Sequence, residues 1–261
     1  MSRAYDLVGS RPSPAGWAVA VPWLLAAGTV AAQIAYPLLE GEALRRVTIA
    51  SVLLFFLASV SHAAATRGAL WALGLVVVTA GGGLLAEAVG VRTGVPFGEY
   101  RYTGTLGPEV LDVPVVVPLA WTMMAYPLFL AARRLSRRLV ALVGGFGLAA
   151  WDVFLDPQMV DDGRWVWLDP DPSLPGIPDV PLTNYAGWLL VGVLMMGVLE
   201  ALLPRTRASE AQPATLLFWT YAGSIVGNLF WFGTPAVALA GGLAMGVVVL
   251  PYGWSLWQSR P

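Results

Sequence analysis

From Trp17 onward the chain is a succession of apolar runs separated by short polar or Pro- and Gly-containing breaks. Several runs approach the ~20 residues that an α-helix needs to cross the hydrocarbon core of a bilayer. Composition agrees, because 57% of the 261 residues are hydrophobic and the mean hydropathy is +0.68, whereas an average soluble domain is about 45–50% apolar. The expected fold is therefore all-α, a polytopic transmembrane helix bundle forming one integral membrane domain over residues 1–261. Eight spans are predicted, near 17–39, 47–66, 69–91, 113–132, 138–155, 183–203, 214–232 and 235–256. The first run reaches Tyr36 and is longer than the apolar core of a signal peptide, so it is read as a span. Gly223/Gly227 and Gly242/Gly246 stand four apart, a spacing that suits close helix packing. No internal repeat is visible, which counts against an inverted-repeat transporter.

Charge and composition exclude several classes of function. The net charge of −1 does not provide the basic surface that nucleic-acid binding needs. All fifteen basic residues are arginine, so no lysine can form a Schiff base with retinal or any other carbonyl ligand. The chain has no cysteine, and hence no disulfide, thiolate metal site or cysteine nucleophile. Its single histidine, His62, cannot build a multi-histidine centre. Carboxylates alone can hold magnesium, but no metal site is assigned.

Orientation follows from the arginines, which favour the cytoplasmic side of short loops. With eight spans, Arg3, Arg11, Arg67, Arg133, Arg134, Arg137, Arg138, Arg205, Arg207 and Arg260 share one face with both termini. Arg45, Arg46, Arg92, Arg101 and Arg164 occupy the other. Both termini are thus expected in the cytoplasm of a multi-pass cell-membrane protein. Glu40, Glu42, Glu99, Glu109 and Asp112 fall on the opposite, non-cytoplasmic face. The two longest loops, about 92–112 and 156–182, lie there too, and long loops in a compact protein are often functional. They are expected to cap a site at that end.

Polar groups converge on one layer just below those loops. Glu87 sits near the outer end of the third span, and Asp152 and Asp156 sit at the outer end of the fifth. Four residues apart, the two aspartates share one helix face. Trp121 opens the fourth span, Asn184 opens the sixth, and Asn228 and Trp231 close the seventh at the same level. Ionisable groups inside a membrane are costly and usually functional. Asp156 precedes Pro157, where helices often end, so it stands equally as a helix terminator. Asp161, Asp162, Asp169 and Asp171 read as a solvated turn. Trp165 and Trp167 read as an interfacial belt. His62 falls near the cytoplasmic end and is left out.

A carboxyl withdrawn from water favours its neutral form, and a carboxylic acid can hand a proton to a substrate. Tryptophan faces stabilise a neighbouring cation. An acid among tryptophans in a partly dry pocket therefore suits protonation of an alkene.

Four segments occur in order: "GVPFGEYRYTGTLGPEVLDVPVVVPLAWTMMAYP" (94–127), "WDVFLDPQMV" (151–160), "GRWVW" (163–167) and "PLTNYAGWLL" (181–190). Together they resemble the carotenoid biosynthesis membrane proteins that include the carotenoid 1,2-hydratases, over most of the chain from about Glu87 to Trp231. The resemblance implies addition of water across the terminal C1=C2 bond of an acyclic ψ end group, without a cofactor. It implies a C40 or C50, acyclic or monocyclic carotenoid as substrate, with water, membrane lipids and other carotenoid biosynthesis enzymes as partners. On the chemistry above, Asp152 or Glu87 is expected to protonate the alkene. The other carboxylate, or Asp156, would orient water. Tyr100, Tyr102 and Asn184 would shape the pocket mouth, with Trp121 and Trp151 beside the cation. A carotenoid end-group cyclase would share the protonation but not the water capture. A membrane prenyltransferase would need a second Asp-rich motif and basic residues for diphosphate. A non-catalytic carotenoid- or lipid-binding protein, or a transporter, is the reading from another class.

Overall fold

A computed structural model describes residues 16–259 of the chain, so Arg3, Arg11 and Arg260 lie outside the described residues. The described chain forms α1 (Gly16–Ala35), α2 (Gly41–Arg67), α3 (Ala69–Val76), α4 (Gly82–Thr93), α5 (Val116–Leu135), α6 (Val140–Asp161), α7 (Leu182–Leu202), α8 (Ala211–Phe230) and α9 (Pro235–Gln258). A π-helical turn, Val77–Gly81, joins α3 to α4 without a break, so the two make one span and the bundle has eight. Seven of these spans are long and apolar enough to cross a membrane. The eighth, α8, is of similar length but carries Gln212, Thr215, Thr220, Ser224 and Asn228.

The bundle is organised around α5 and α6. In their most apolar stretches 78% and 67% of residues are buried, against 44% or less for the other five helices of membrane length. The outer helices show Leu70, Leu85, Leu194 and Leu243 on the surface, as helices bathed in lipid must. Close approach is set by small residues. A Cβ on Gly145 of α6 would stand 2.7 Å from the Val193 Cα of α7, and one on Gly192 would stand 3.0 Å from the Gly145 Cα. Of the glycines singled out in the sequence, Gly246 is closely packed, with Tyr221 Oη 2.9 Å from its would-be Cβ, and Gly227 abuts Phe232 at 2.9 Å. Gly223 differs, because a Cβ there would meet only the Trp219 ring at 3.9 Å.

The two ends of the bundle differ in kind. At one end the breaks are short, and Arg133 and Arg205 pair with Glu200. His62 lies towards this end, its Nδ1 2.7 Å from Tyr126 Oη. At the other end the long loops fold into three two-stranded antiparallel ribbons. β1 (Tyr100–Tyr102) pairs with β4 (Trp165–Trp167), in the register Tyr100↔Trp167, Arg101↔Val166 and Tyr102↔Trp165. β2 (Glu109–Val110) pairs with β3 (Val113–Pro114), and β5 (Ser173–Leu174) with β6 (Ile177–Pro181). Side chains alternate across a strand, so the first ribbon turns Tyr100, Tyr102, Trp165 and Trp167 inward and leaves Arg101 and Val166 outward.

Two sequence expectations are corrected. Trp165 and Trp167 are not an interfacial belt, being 8% and 6% exposed beneath the cap. Asp156 does not terminate a helix, because α6 continues through Pro157 to Asp161. A proline removes one backbone donor, and here that loss falls within the last turn or so, where the following residues still close the helix.

Candidate active site

Glu87 is held by three donors from two segments, β1 and α5. Its Oε2 accepts from Tyr100 Oη at 2.5 Å and Tyr102 Oη at 2.8 Å, and its Oε1 accepts from Trp121 Nε1 at 3.0 Å. The helix is shaped for this arrangement by Gly83, Glu87 and Gly90, which recur at four and three residues and so share a face. A Cβ on Gly83 would stand 2.7 Å from the Trp121 ring, and one on Gly90 would stand 2.9 Å from Tyr100 Oη. Two glycines thus let an indole and a phenol lie directly on α4, on either side of the carboxyl they bind. Both tyrosines lie in the cap, and burial, reinforced by the charge of Glu87, pushes their hydroxyls above the ordinary range. They remain protonated donors at any physiological pH.

Asp152 and Asp156 face α7 from consecutive turns of α6. The Asn184 side-chain amide donates to both, reaching Asp152 Oδ2 at 2.7 Å and Asp156 Oδ2 by a closer contact. Both carboxyls thus converge on one amide group. Asp152 Oδ1 has no partner among the described residues. Asp152 is fully buried and Asp156 is 3% exposed. Only Asp156, with Glu87 and Asn184, lines the cavity between them.

That cavity has a volume of about 60 Å³ and is otherwise mostly apolar, with Phe97, Trp121, Trp165, Trp167 and Trp188 in its wall. Trp121 and Trp188 stack with centroids 3.9 Å apart and planes 9° apart, and Trp151 meets Trp188 edge-on at 5.9 Å and 81°. Gly187 makes room beside Trp188, since a Cβ there would stand 2.7 Å from Pro96 O. The cap is tied down by Trp167 Nε1, which donates to Phe97 O at 3.1 Å.

Of the residues singled out in the sequence, Glu87, Tyr100, Tyr102, Trp121, Asp156 and Asn184 line this cavity. Asp152 and Trp151 stand directly behind it. Asn228 does not reach it: its Nδ2 donates to Ser224 O at 2.8 Å and its Oδ1 accepts from Thr234 Oγ1 at 2.6 Å, closing the turn between α8 and α9. Trp231 is 56% exposed and lines a separate groove described below. Asp161, Asp169 and Asp171 are exposed, while Asp162 is half-buried against the Tyr36 hydroxyl. The sequence reading gave no role to Trp188 or Phe97. Trp188 follows Asn184 by four residues, so the shared face was a usable signal. Phe97 carried none, because its place depends on the path of the cap.

The carotenoid biosynthesis protein family matches the chain over residues 47–217, more than half its length and all of the cavity wall. A curated relative, the bisanhydrobacterioruberin hydratase of Haloarcula japonica, is 39% identical over 113 residues, covering 41% of this chain and 37% of that protein. The match therefore spans well under half of that relative's length. No solved structure matches the chain. With four ordered motifs, a helical membrane bundle and the family match all on one chain, the protein belongs to the carotenoid biosynthesis protein family.

Proposed function

We propose that this protein is a carotenoid hydratase that adds water to the terminal C1=C2 bond of an acyclic carotenoid end group. The observation that carries this reading is the carboxyl pair Asp152–Asp156, bridged by Asn184 and opening through Asp156 onto a cavity walled by tryptophans. The name of the 39% identical relative supports it.

Asp156 is the proton donor, because it is the member of the pair that faces the cavity. The pair shares one proton, since two carboxylates this close would otherwise repel. The π electrons of C1=C2 take that proton to form the new C–H bond at C2, leaving a tertiary cation at C1. The tryptophans that wall the cavity stabilise that cation, and Glu87, acting as an acceptor towards three donors, supplies a fixed negative charge nearby. A water oxygen then bonds to C1, and the proton it releases returns to the aspartate pair. The cycle closes with no cofactor and no net change in the protein. Asp152 acts through Asp156 as a positioning residue.

The test is mass spectrometry of pigments from cells that make lycopene, with and without this protein. Hydration adds the mass of one or two waters, and Asp156→Asn abolishes the gain while the protein remains in the membrane. A changed absorbance at unchanged mass would instead identify a cyclase, which captures the same cation with an internal alkene.

A further inference from the structure

A second opening adjoins the site and is much larger. It is a mostly apolar groove of about 370 Å³ between α1, α2, α6 and α8. Small-molecule sites usually enclose about 300–1,000 Å³. The inner cavity, at about 60 Å³, falls far short of that range and the groove falls within it. The two adjoin, because Thr48, Val52, Met123, Leu155 and Met159 line both. Trp151 faces the groove with its own ring while standing edge-on to Trp188 of the cavity wall.

The groove also opens sideways. Ile34 and Leu38 on its α1 side and Val226 on its α8 side are 53%, 70% and 43% exposed on the outer surface of the bundle. Its walls are braced where Trp219 Nε1 donates to Gln33 Oε1 at 2.8 Å. Its outer end is closed by the edge-on pair Tyr36 and Phe232, with centroids 6.0 Å apart. The opening is therefore a lateral slot at membrane depth, braced on both sides.

We infer that this groove binds the linear polyene chain of the substrate, admitted from the lipid between α1 and α8, with only the terminal end group passing Met123 and Leu155 into the cavity. The inference rests on the proposed hydratase reading for the identity of the ligand, and on the shared lining residues and the volumes for its place. An isoprenoid polyene fits the slot because it is apolar and unbranched beyond its methyl groups, and because its reacting end lies at its tip. A lipid acyl chain would fill the groove equally well, but it has no reason to extend into an acidic aromatic pocket.

Gly223 provides the test. It lines the groove, and a side chain there would enter open space rather than a neighbouring helix. The full-length Asp156→Asn protein, made in cells producing lycopene, is solubilised and washed, and the pigment retained per chain is measured by absorbance. Retention near one lycopene per chain is expected. Adding Gly223→Phe, or Val52→Trp on the facing wall, should lower it by about tenfold or more, whereas Leu243→Phe on the lipid-facing surface should not. Equal retention by the groove variants, with helix content unchanged, would overturn the inference, as would no retention by the Asp156→Asn protein itself. The readout does not need turnover. Retention that depends on Gly223 without hydration by the wild-type protein would sink the hydratase reading and leave the groove standing.

Discussion

Asp156 and Asp152 share a bridging amide but not a cavity, and their substitutions should separate accordingly. On the proposed mechanism, Asp156→Asn removes the proton donor and should lower hydration by about 10²–10⁴-fold, the usual contribution of a general acid. Asp152→Asn leaves that acid in place and alters its partner, so the rate should fall less and its pH profile should shift. Equal, complete losses with unshifted profiles would argue against this division of roles. Glu87 can be examined through its donors. Tyr100→Phe leaves Oε2 with Tyr102 alone. Losing a hydrogen bond to a charged group costs about 1.5–3 kcal/mol, or roughly a ten- to hundredfold fall in rate if the bond acts in the transition state. The same tyrosines set a pH expectation. Their hydroxyls are pushed above the ordinary value of about 10, by burial first and by Glu87 second. They therefore keep their protons throughout the working range, and the rate should show no alkaline limb from them below about pH 10. Such a limb, if Tyr100→Phe abolished it, would show one of these phenols ionising in the working enzyme.

At the scale of elements, the π turn and the glycines after it fix how α4 meets α5. Trp121 is confined on one side by Gly83 and on the other by Trp188, so it cannot retreat from an added methyl. Gly83→Ala should cost about 1–3 kcal/mol by overpacking, read as a lowered Tm in detergent, and should impair hydration. Gly81→Ala, where a Cβ meets nothing within 4 Å, should do neither. The spans were legible because an apolar run of membrane length has few alternatives to a helix. The face shared by Asp152 and Asp156 followed from the helical repeat. That two loops cap the site was legible, but their pairing was not, because β1 and β4 join residues more than sixty positions apart and neither strand shows its partner locally. Asn228 illustrates the other limit. Position along a helix gives its depth, but the turn that spends its amide on Ser224 and Thr234 is set by the neighbouring loop. Pro157 misled because one missing backbone donor does not stop α6, which continues through it to Asp161.

The whole molecule is polar in its architecture: ribbons, most of the acids and the buried site lie at one end, and most of the arginines at the other. Arg67, Arg133, Arg134, Arg137, Arg138, Arg205 and Arg207 all fall at or near the end away from the cap, which the positive-inside tendency makes the expected cytoplasmic end. The absence of cysteine makes this directly testable, because any single introduced thiol reports alone. Glu109 is exposed in the cap and Ser209 is exposed at the opposite end. A membrane-impermeant maleimide applied to intact cells should label Glu109→Cys and should reach Ser209→Cys only after lysis. The reverse pattern would place the cap in the cytoplasm. The outcome also bears on the chemistry. Hydration needs water at one end of a molecule that is otherwise dissolved in lipid, and the cavity lies just beneath the cap while the groove opens to the membrane. Labelling of Glu109→Cys from outside would therefore mean that the reacting end group meets its water at the non-cytoplasmic face, with the rest of the polyene still held at membrane depth.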